Sequence, residues 1–307
     1  MSKGKWGESF LKSGLPLEHL TLATFKSMGW ICSPSIEVER PNREGQQTWF
    51  ELDLEAHSPF ENQDTTLSFL VECKYHDASR FWFFLPHEPE RWGFNDRFFN
   101  CGPIQTLAEP RNDKSALKLI QASTGGIVVS EDGTKQDNAV HTAIQQIANA
   151  FVPICLSEMY DYLLLDEDED EEYYPAAVAK VPMIVTNATL FRLKENVTDL
   201  DAIRNALTPH EVADEIPWTW HYFDPSMSLL KQNNDAIKLH ISTQAEFVYR
   251  FPHVKQRIWQ LCERPNWIAI VNINQLSSVI TEISDLFMSL PTLLVEEVVS
   301  RRKHSTD

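Results

Sequence analysis

The chain has 307 residues, of which 27 are Lys or Arg and 44 are Asp or Glu, for a formal net charge of −17. With 43% hydrophobic and 23% charged residues and only 10 Gly, its composition is globular and excludes fibrous, Gly-rich and wholly disordered chains. The acidity by itself argues against a protein that grips nucleic acid through bulk charge. At about 150 residues per domain, the length predicts one large or two medium domains. Leu15 to Met28 predicts a helix, with Pro16 in its first turn and Gly29 just past its end. Ile36 to Glu39 predicts a short strand. Trp49 to Ala56 alternates strictly, with Phe50, Leu52, Leu54 and Ala56 apolar and Glu51, Asp53 and Glu55 acidic. Leu67 to Tyr75 also alternates, placing Phe69, Val71, Cys73 and Tyr75 on one face and Leu70, Glu72 and Lys74 on the other. Period two over such runs is the strand signature.

A connection from His76 to Gln136 follows, dense in aromatics (Phe81, Trp82, Phe83, Phe84, Trp92, Phe94, Phe98, Phe99). At about sixty residues it is too long for an unstructured loop in a compact domain, so it predicts an ordered insertion. Asp137 to Met159 predicts a long helix that Pro153 should kink or interrupt. Asp166 to Glu172 is an unbroken acidic run, which must be an exposed loop. Val181 to Thr186 predicts a strand. Further strands are expected near Ile237 to Ser242 and Trp267 to Ile273, and helices near Val254 to Cys262, Gln275 to Ser289 and Thr292 to Arg302. No apolar run approaches the ~18–20 residues of a membrane span, and the first residues have no apolar signal-peptide core. The cysteines (Cys32, Cys73, Cys101, Cys155 and Cys262) are odd in number and scattered, with no Cys-x-x-Cys pair. That pattern predicts reduced residues in a cytoplasmic protein, where the sequons at Asn187 and Asn196 carry no glycan.

The chemistry is expected at Asp53, Glu72 and Lys74. Glu72 and Lys74 leave their strand on one face, and Asp53 lies on the acidic face of the strand before it. Two carboxylates with room for water suit a hard divalent cation such as Mg²⁺. Such an ion lowers the pKa of bound water and offsets charge on a phosphoryl group. A lysine two residues on adds a fixed cation near the attacked phosphate. Glu72-Cys-Lys74 is the only Glu-x-Lys or Asp-x-Lys in the chain. A structural salt-bridge set on a surface strand is the alternative reading of these three residues.

Gly14-Leu-Pro-Leu-Glu18, Gly29-Trp30, Phe50-Glu-Leu-Asp-Leu54 and Phe69-Leu-Val-Glu-Cys-Lys-Tyr75 together resemble the PD-(D/E)xK phosphodiesterase superfamily, the restriction-endonuclease-like nucleases. Leu52 stands where the motif's name has Pro. The resemblance implies an α/β fold with a restriction-endonuclease-like α-β-β-β-α-β core, its mixed central sheet flanked by helices. That core would span residues 1–190 with the insertion at about 76–136. Residues 191–307 would form an α/β extension packed on it or within the same domain. The resemblance further implies that Asp53, Glu72 and Glu18 hold Mg²⁺ or Mn²⁺ with help from the Cys73 backbone carbonyl, and that Lys74 acts at the phosphate. Gln145, Gln146 and His76 are candidate substrate contacts. The implied activity is a metal-dependent hydrolase, an endonuclease on DNA, in prokaryotic defence or DNA processing. Two other readings stay open: a non-catalytic binding or scaffold subunit of a larger complex, and a nuclease on RNA or branched repair intermediates. Without the acidic run, 37 acidic and 27 basic residues remain, still −10. Affinity for bare DNA is therefore expected to be weak and salt-sensitive, with the grip supplied by a homo-oligomer or a basic protein partner.

Overall fold

Each central strand sends alternate side chains into two separate apolar layers, as period two requires of a sheet buried on both faces. The computed structural model describes residues 5–41, 46–58, 65–76, 79–87, 122–133, 136–164, 177–243, 259, 265 and 267–288. The chain begins with α1 (Lys5–Lys12), α2 (Leu15–Ser27), β1 (Ile31–Pro41), β2 (Gln47–His57), β3 (Thr65–Lys74) and β4 (Arg80–Pro86). It continues with β5 (Ala122–Ser130), β6 (Gln136–Asp137), α3 (Ala139–Leu164), β7 (Ala177–Thr186), β8 (Thr189–Leu193), α4 (Leu200–Asn205) and α5 (Pro209–Val212). The last elements are β9 (Ala213–Ile216), β10 (Trp218–Tyr222), α6 (Met227–Thr243), β11 (Trp267–Asn272) and α7 (Leu276–Met288). The described strands join one mixed sheet in the order β1-β2-β3-β7-β11-β10-β5-β4-β8-β9, with β6 beside β5. β1, β2 and β3 are antiparallel neighbours. β3 runs parallel to β7, and β7 parallel to β11.

One layer joins Phe69, Val71 and Cys73 of β3 and Met183 and Val185 of β7 to Leu17 and Phe25 of α2 and Val279 and Ile280 of α7. The other joins Leu70, Ile184, Ile268 and Ile270 to Ile144, Ile147 and Phe151 of α3 and to Leu229 and Ile237 of α6. The protein is thus a mixed α/β chain with helices on both faces of a large sheet.

Several expectations change. β10 and β11, from the last third of the chain, stand in the middle of the sheet, so the sheet runs unbroken across residue 190. The insertion is part of the same sheet through β4 and β5; Phe81 to Phe84 lie in β4, while Trp92, Phe94, Phe98 and Phe99 lie outside the described residues. The strand expected at Ile237 to Ser242 is the end of α6. Ile237, Leu239 and Ile241 alternate as in a strand, but the buried stripe is Leu229, Asn233 and Ile237, spaced by four, and Leu239 is exposed. The helix expected at Thr292 to Arg302, the acidic run, Cys101, Cys262 and most of Val254 to Cys262 lie outside the described residues. Ala139–Ser157 of α3 is long and apolar enough to cross a membrane by length and composition, contrary to the reading of uninterrupted runs. Most of it is buried inside the protein, as in a core helix.

α3 also passes through Pro153 without interruption. A helical proline removes the N–H that would bond the carbonyl four residues earlier, here that of Asn149. Arg40 of β1 supplies the missing donor: its Nη1 donates to the Asn149 carbonyl at 2.8 Å. Its Nη2 donates to Asn233 Oδ1 of α6 at 2.6 Å. The guanidinium is 1% exposed, and burial lowers its pKa to about 10. Arg40 therefore ties the β1–β2 hairpin to both helices of one layer. Arg40→Met is expected to cost about 2–3 kcal/mol by stranding buried acceptors. Pro153→Ala, which restores the N–H, should return about 1 kcal/mol of that in the double variant. Urea unfolding of the four proteins measures this coupling; purely additive effects would refute the substitution of one donor for the other.

Candidate active site

Asp53 sits where β2 changes faces. Phe50 and Leu52 pack with the layer under α3, whereas Leu54 and Ala56 belong to the layer under α2. The strict alternation read from the sequence therefore breaks at Asp53. Two observations account for the break. Opposite Asp53, the β1–β2 register omits Ser35, whose φ of 56° is left-handed. On the other side, β2–β3 pairing ends at Leu54 with Val71. Beyond that pair the two strands part, and the Asp53 Oδ2 accepts the Cys73 backbone N–H at 2.5 Å in place of a ladder bond. Ser35 Oγ donates to Glu51 Oε1 at 2.7 Å, fixing the same bend from outside.

Glu72 and Lys74 leave β3 two residues apart, and their side chains form an ion pair through Glu72 Oε1 and Lys74 Nζ. Glu72 is 2% exposed, whereas the Lys74 side chain keeps 24% exposure. The second carboxylate oxygen, Glu72 Oε2, is buried without a hydrogen-bond partner. Burial foremost, then the neighbouring Asp53 and Glu18, push the Glu72 carboxyl up to about 7, with Lys74 opposing. Burial also raises Asp53, against the Cys73 N–H and Lys74. Burial and Asp53, followed by Glu51, raise Glu18, again with Lys74 opposing.

Glu18 reaches this cluster from the start of α2. Gly14, with φ 86°, caps that helix, and its carbonyl accepts the N–H groups of Leu17 and Glu18. A Cβ on Gly14 would stand 3.2 Å from Glu18 Oε1, so the glycine leaves room for the carboxylate to fold back. Cys73 points the other way, its Sγ against Thr21 Oγ1 at 3.5 Å. Burial raises its thiol pKa, so it is no nucleophile.

Asp53, Glu72 and Lys74 thus meet at the end of β3, and Glu18 lies within electrostatic reach of them. The other predicted contacts are placed differently. Gln146 lies on α3, which packs against β2 and β3, and its Oε1 is buried without a hydrogen-bond partner. The Gln145 carbonyl accepts from Asn149 Nδ2 at 2.8 Å. His76 is buried with its ring against Trp82, centroids 5.4 Å apart. Ser35, Glu51 and Thr21 also shape the site and escaped the sequence reading, since no spacing rule links them to Glu72. Asn187, which holds the His76 backbone, was legible only as a sequon.

The donor set fits a divalent cation on one observation: a buried carboxylate oxygen without a partner, among carboxylates that cannot all ionise cheaply together. Among the described residues, no group of three or more His, Cys, Asp or Glu side chains is placed to hold a metal ion. Mg²⁺ does not require one, because it binds through one or two carboxylates and keeps waters or substrate oxygens for the rest. The chain matches no protein-family model, no curated protein and no solved structure.

Proposed function

We propose that the chain is a Mg²⁺- or Mn²⁺-dependent nuclease of the PD-(D/E)xK kind, with a restriction-endonuclease-like core, hydrolysing phosphodiester bonds in DNA. The observation that carries this reading is Glu72: a buried carboxylate with one oxygen on Lys74 and the other unpartnered, beside Asp53 and Glu18. With β4, β5 and β6 taken as an insertion, the order α2, β1, β2, β3, α3 and β7, with β7 parallel to β3, follows the α-β-β-β-α-β pattern and supports it further. A plain surface salt bridge accounts for neither the burial nor the orphaned oxygen.

In this reading Asp53 and Glu72 hold the cation, with Glu18 and the Cys73 carbonyl beside them. Such an ion, when bound, lowers the pKa of its water and offsets charge on the phosphoryl oxygens. The Lys74 ammonium, partly exposed, neutralises charge growing on the scissile phosphate and orients the attacking water. Asp53 also fixes the β3 backbone through the Cys73 N–H, so one residue serves both ligation and alignment. The net charge of −17 predicts weak, salt-sensitive binding to bare DNA, and a second copy or a basic partner to supply the grip.

The test is cleavage of single-stranded, double-stranded, methylated and branched DNA, and of RNA, with Mg²⁺ or Mn²⁺. Metal-dependent cutting by wild type, lost on chelation, supports the reading. Equal inertness of wild type and Lys74→Ala across all substrates would replace it with a non-catalytic binding or scaffold role.

A further inference from the structure

The strand that carries Glu72 and Lys74 is held at its end by a side chain from outside the carboxylate cluster. β3 and β7 run parallel and in register until Lys74 pairs with Thr186. One residue later, Asn187 Oδ1 accepts the His76 backbone N–H at 2.7 Å, and Asn187 Nδ2 donates to the His76 carbonyl at 2.7 Å. A primary amide presents an acceptor and a donor in one plane, as a strand residue does, so the ladder gains one further step through a side chain. The orientation of the amide is settled by its partners, since an N–H only donates and a carbonyl only accepts.

A second asparagine supports the first. Asn272 ends β11 opposite Thr186, and its Nδ2 donates to the Ala188 carbonyl at 2.8 Å. Ala188 N–H in turn donates to Thr186 Oγ1 at 3.2 Å, closing the turn that presents Asn187. Asn272 itself is braced by its backbone N–H to the Pro217 carbonyl at 3.1 Å and by Oδ1 accepting the Asn274 N–H at 2.9 Å. β11, from the last third of the chain, is therefore linked through Asn272 and Asn187 to the backbone of His76, two residues beyond Lys74.

We propose that Asn187, backed by Asn272, is a positioning residue for Lys74, its clamp on His76 fixing the end of β3 from which the ammonium works. This rests on the nuclease reading above. Strand ends open readily when nothing ties them down. A misplacement of about 1 Å at a reacting group costs on the order of 10²-fold in rate. Asn187 bonds the two main-chain groups of a residue just beyond Lys74 and makes no bond to Glu72, Asp53 or Glu18, so its effect should fall on rate rather than on metal binding.

The experiment uses full-length Asn187→Ala and Asn272→Ala with three readouts: hydrogen exchange of the His76 amide, kcat and KM for DNA cleavage with Mg²⁺, and Mn²⁺ titration. For Asn187→Ala we expect exchange about tenfold faster or more, kcat lower by about 10- to 100-fold, and KM and Mn²⁺ affinity within about twofold. Asn272→Ala should move exchange and kcat the same way by less, and it decides the matter alone if Asn187→Ala does not fold. Unchanged exchange overturns the clamp. Faster exchange with unchanged kcat, or a loss seen in KM or Mn²⁺ affinity instead, overturns the positioning role. A wild type that cuts nothing, while Asn187→Ala frees the His76 amide, overturns the nuclease reading but supports the clamp on β3.

Discussion

Lys74→Ala is expected to lower Mg²⁺-dependent cleavage by about 10³-fold or more while leaving the protein folded and able to bind Mn²⁺. The magnitude is that of losing a positioned cation or proton-transfer group at the reacting centre. The retained fold follows from Glu72. Its carboxyl already lies near 7 through burial and its acidic neighbours, so removing the lysine favours the neutral acid rather than a stranded buried charge. Retained metal binding follows from competition, because Lys74 occupies Glu72 Oε1 and a cation seeks the same carboxylate. Asp53→Ala should differ, losing both cleavage and Mn²⁺ affinity, since it removes a proposed ligand together with the bond to the Cys73 N–H. Cleavage rates with isothermal titration of Mn²⁺ separate the two variants. Full activity in Lys74→Ala would end the role proposed for Lys74 and the assignment of cleavage to this site.

The second large effect lies further along the strands that carry the site. Lys180 of β7 is 2% exposed, and its Nζ donates to Glu55 Oε1 of β2 at 2.8 Å. His57 Nε2 stands 3.5 Å from the same oxygen, and His57 Nδ1 is 2.9 Å from Ser68 Oγ. Breaking one half of such a pair leaves an uncompensated buried charge, so Lys180→Met should cost about 3–5 kcal/mol, whereas Lys180→Met with Glu55→Gln should recover most of it. Burial alone would raise the Glu55 carboxyl, but His57 and Lys180 outweigh burial and hold it below its ordinary 4.5. An acid whose folded pKa is depressed contributes stability above its unfolded value. That contribution is therefore complete at neutral pH, begins to fade as the pH falls past about 4.5, and is gone once the folded carboxyl itself protonates. Urea unfolding at pH 7 and at descending acid pH should show this loss in wild type and not in the double variant. An equal loss in both would assign the acid sensitivity elsewhere.

The legible parts of the fold were those carried by local period. α2 was readable from Pro16 and Gly29, and β3 from its alternation, with both ends close to those expected. Glu72 and Lys74 had to share a face once β3 was a strand, because the backbone offers no other choice at a separation of two residues. Where a local period was ambiguous, packing decided. Ile237 to Ser242 alternates and is nonetheless helical, because the stripe Leu229–Asn233–Ile237 meets the layer beneath it. Pro153 should have broken α3, and it does not because Arg40, far earlier in the chain, replaces the lost donor at Asn149.

The sequence by itself determined the charges of the site and their order along the chain: Glu18 on a helix start, Asp53 on one strand, Glu72 and Lys74 on the next. Only the tertiary structure decided that these groups meet, through the left-handed Ser35, the face change at Asp53 and the parting of β2 from β3. It likewise decided that one oxygen of Glu72 is buried without a partner, and that β11 from the last third stands beside β7 and, through Asn272 and Asn187, is linked to the His76 backbone at the end of β3. The reason is physical. Side-chain direction along a strand is set by covalent geometry within a few residues, whereas burial, and with it the cost of a charge, depends on which distant segments pack around it.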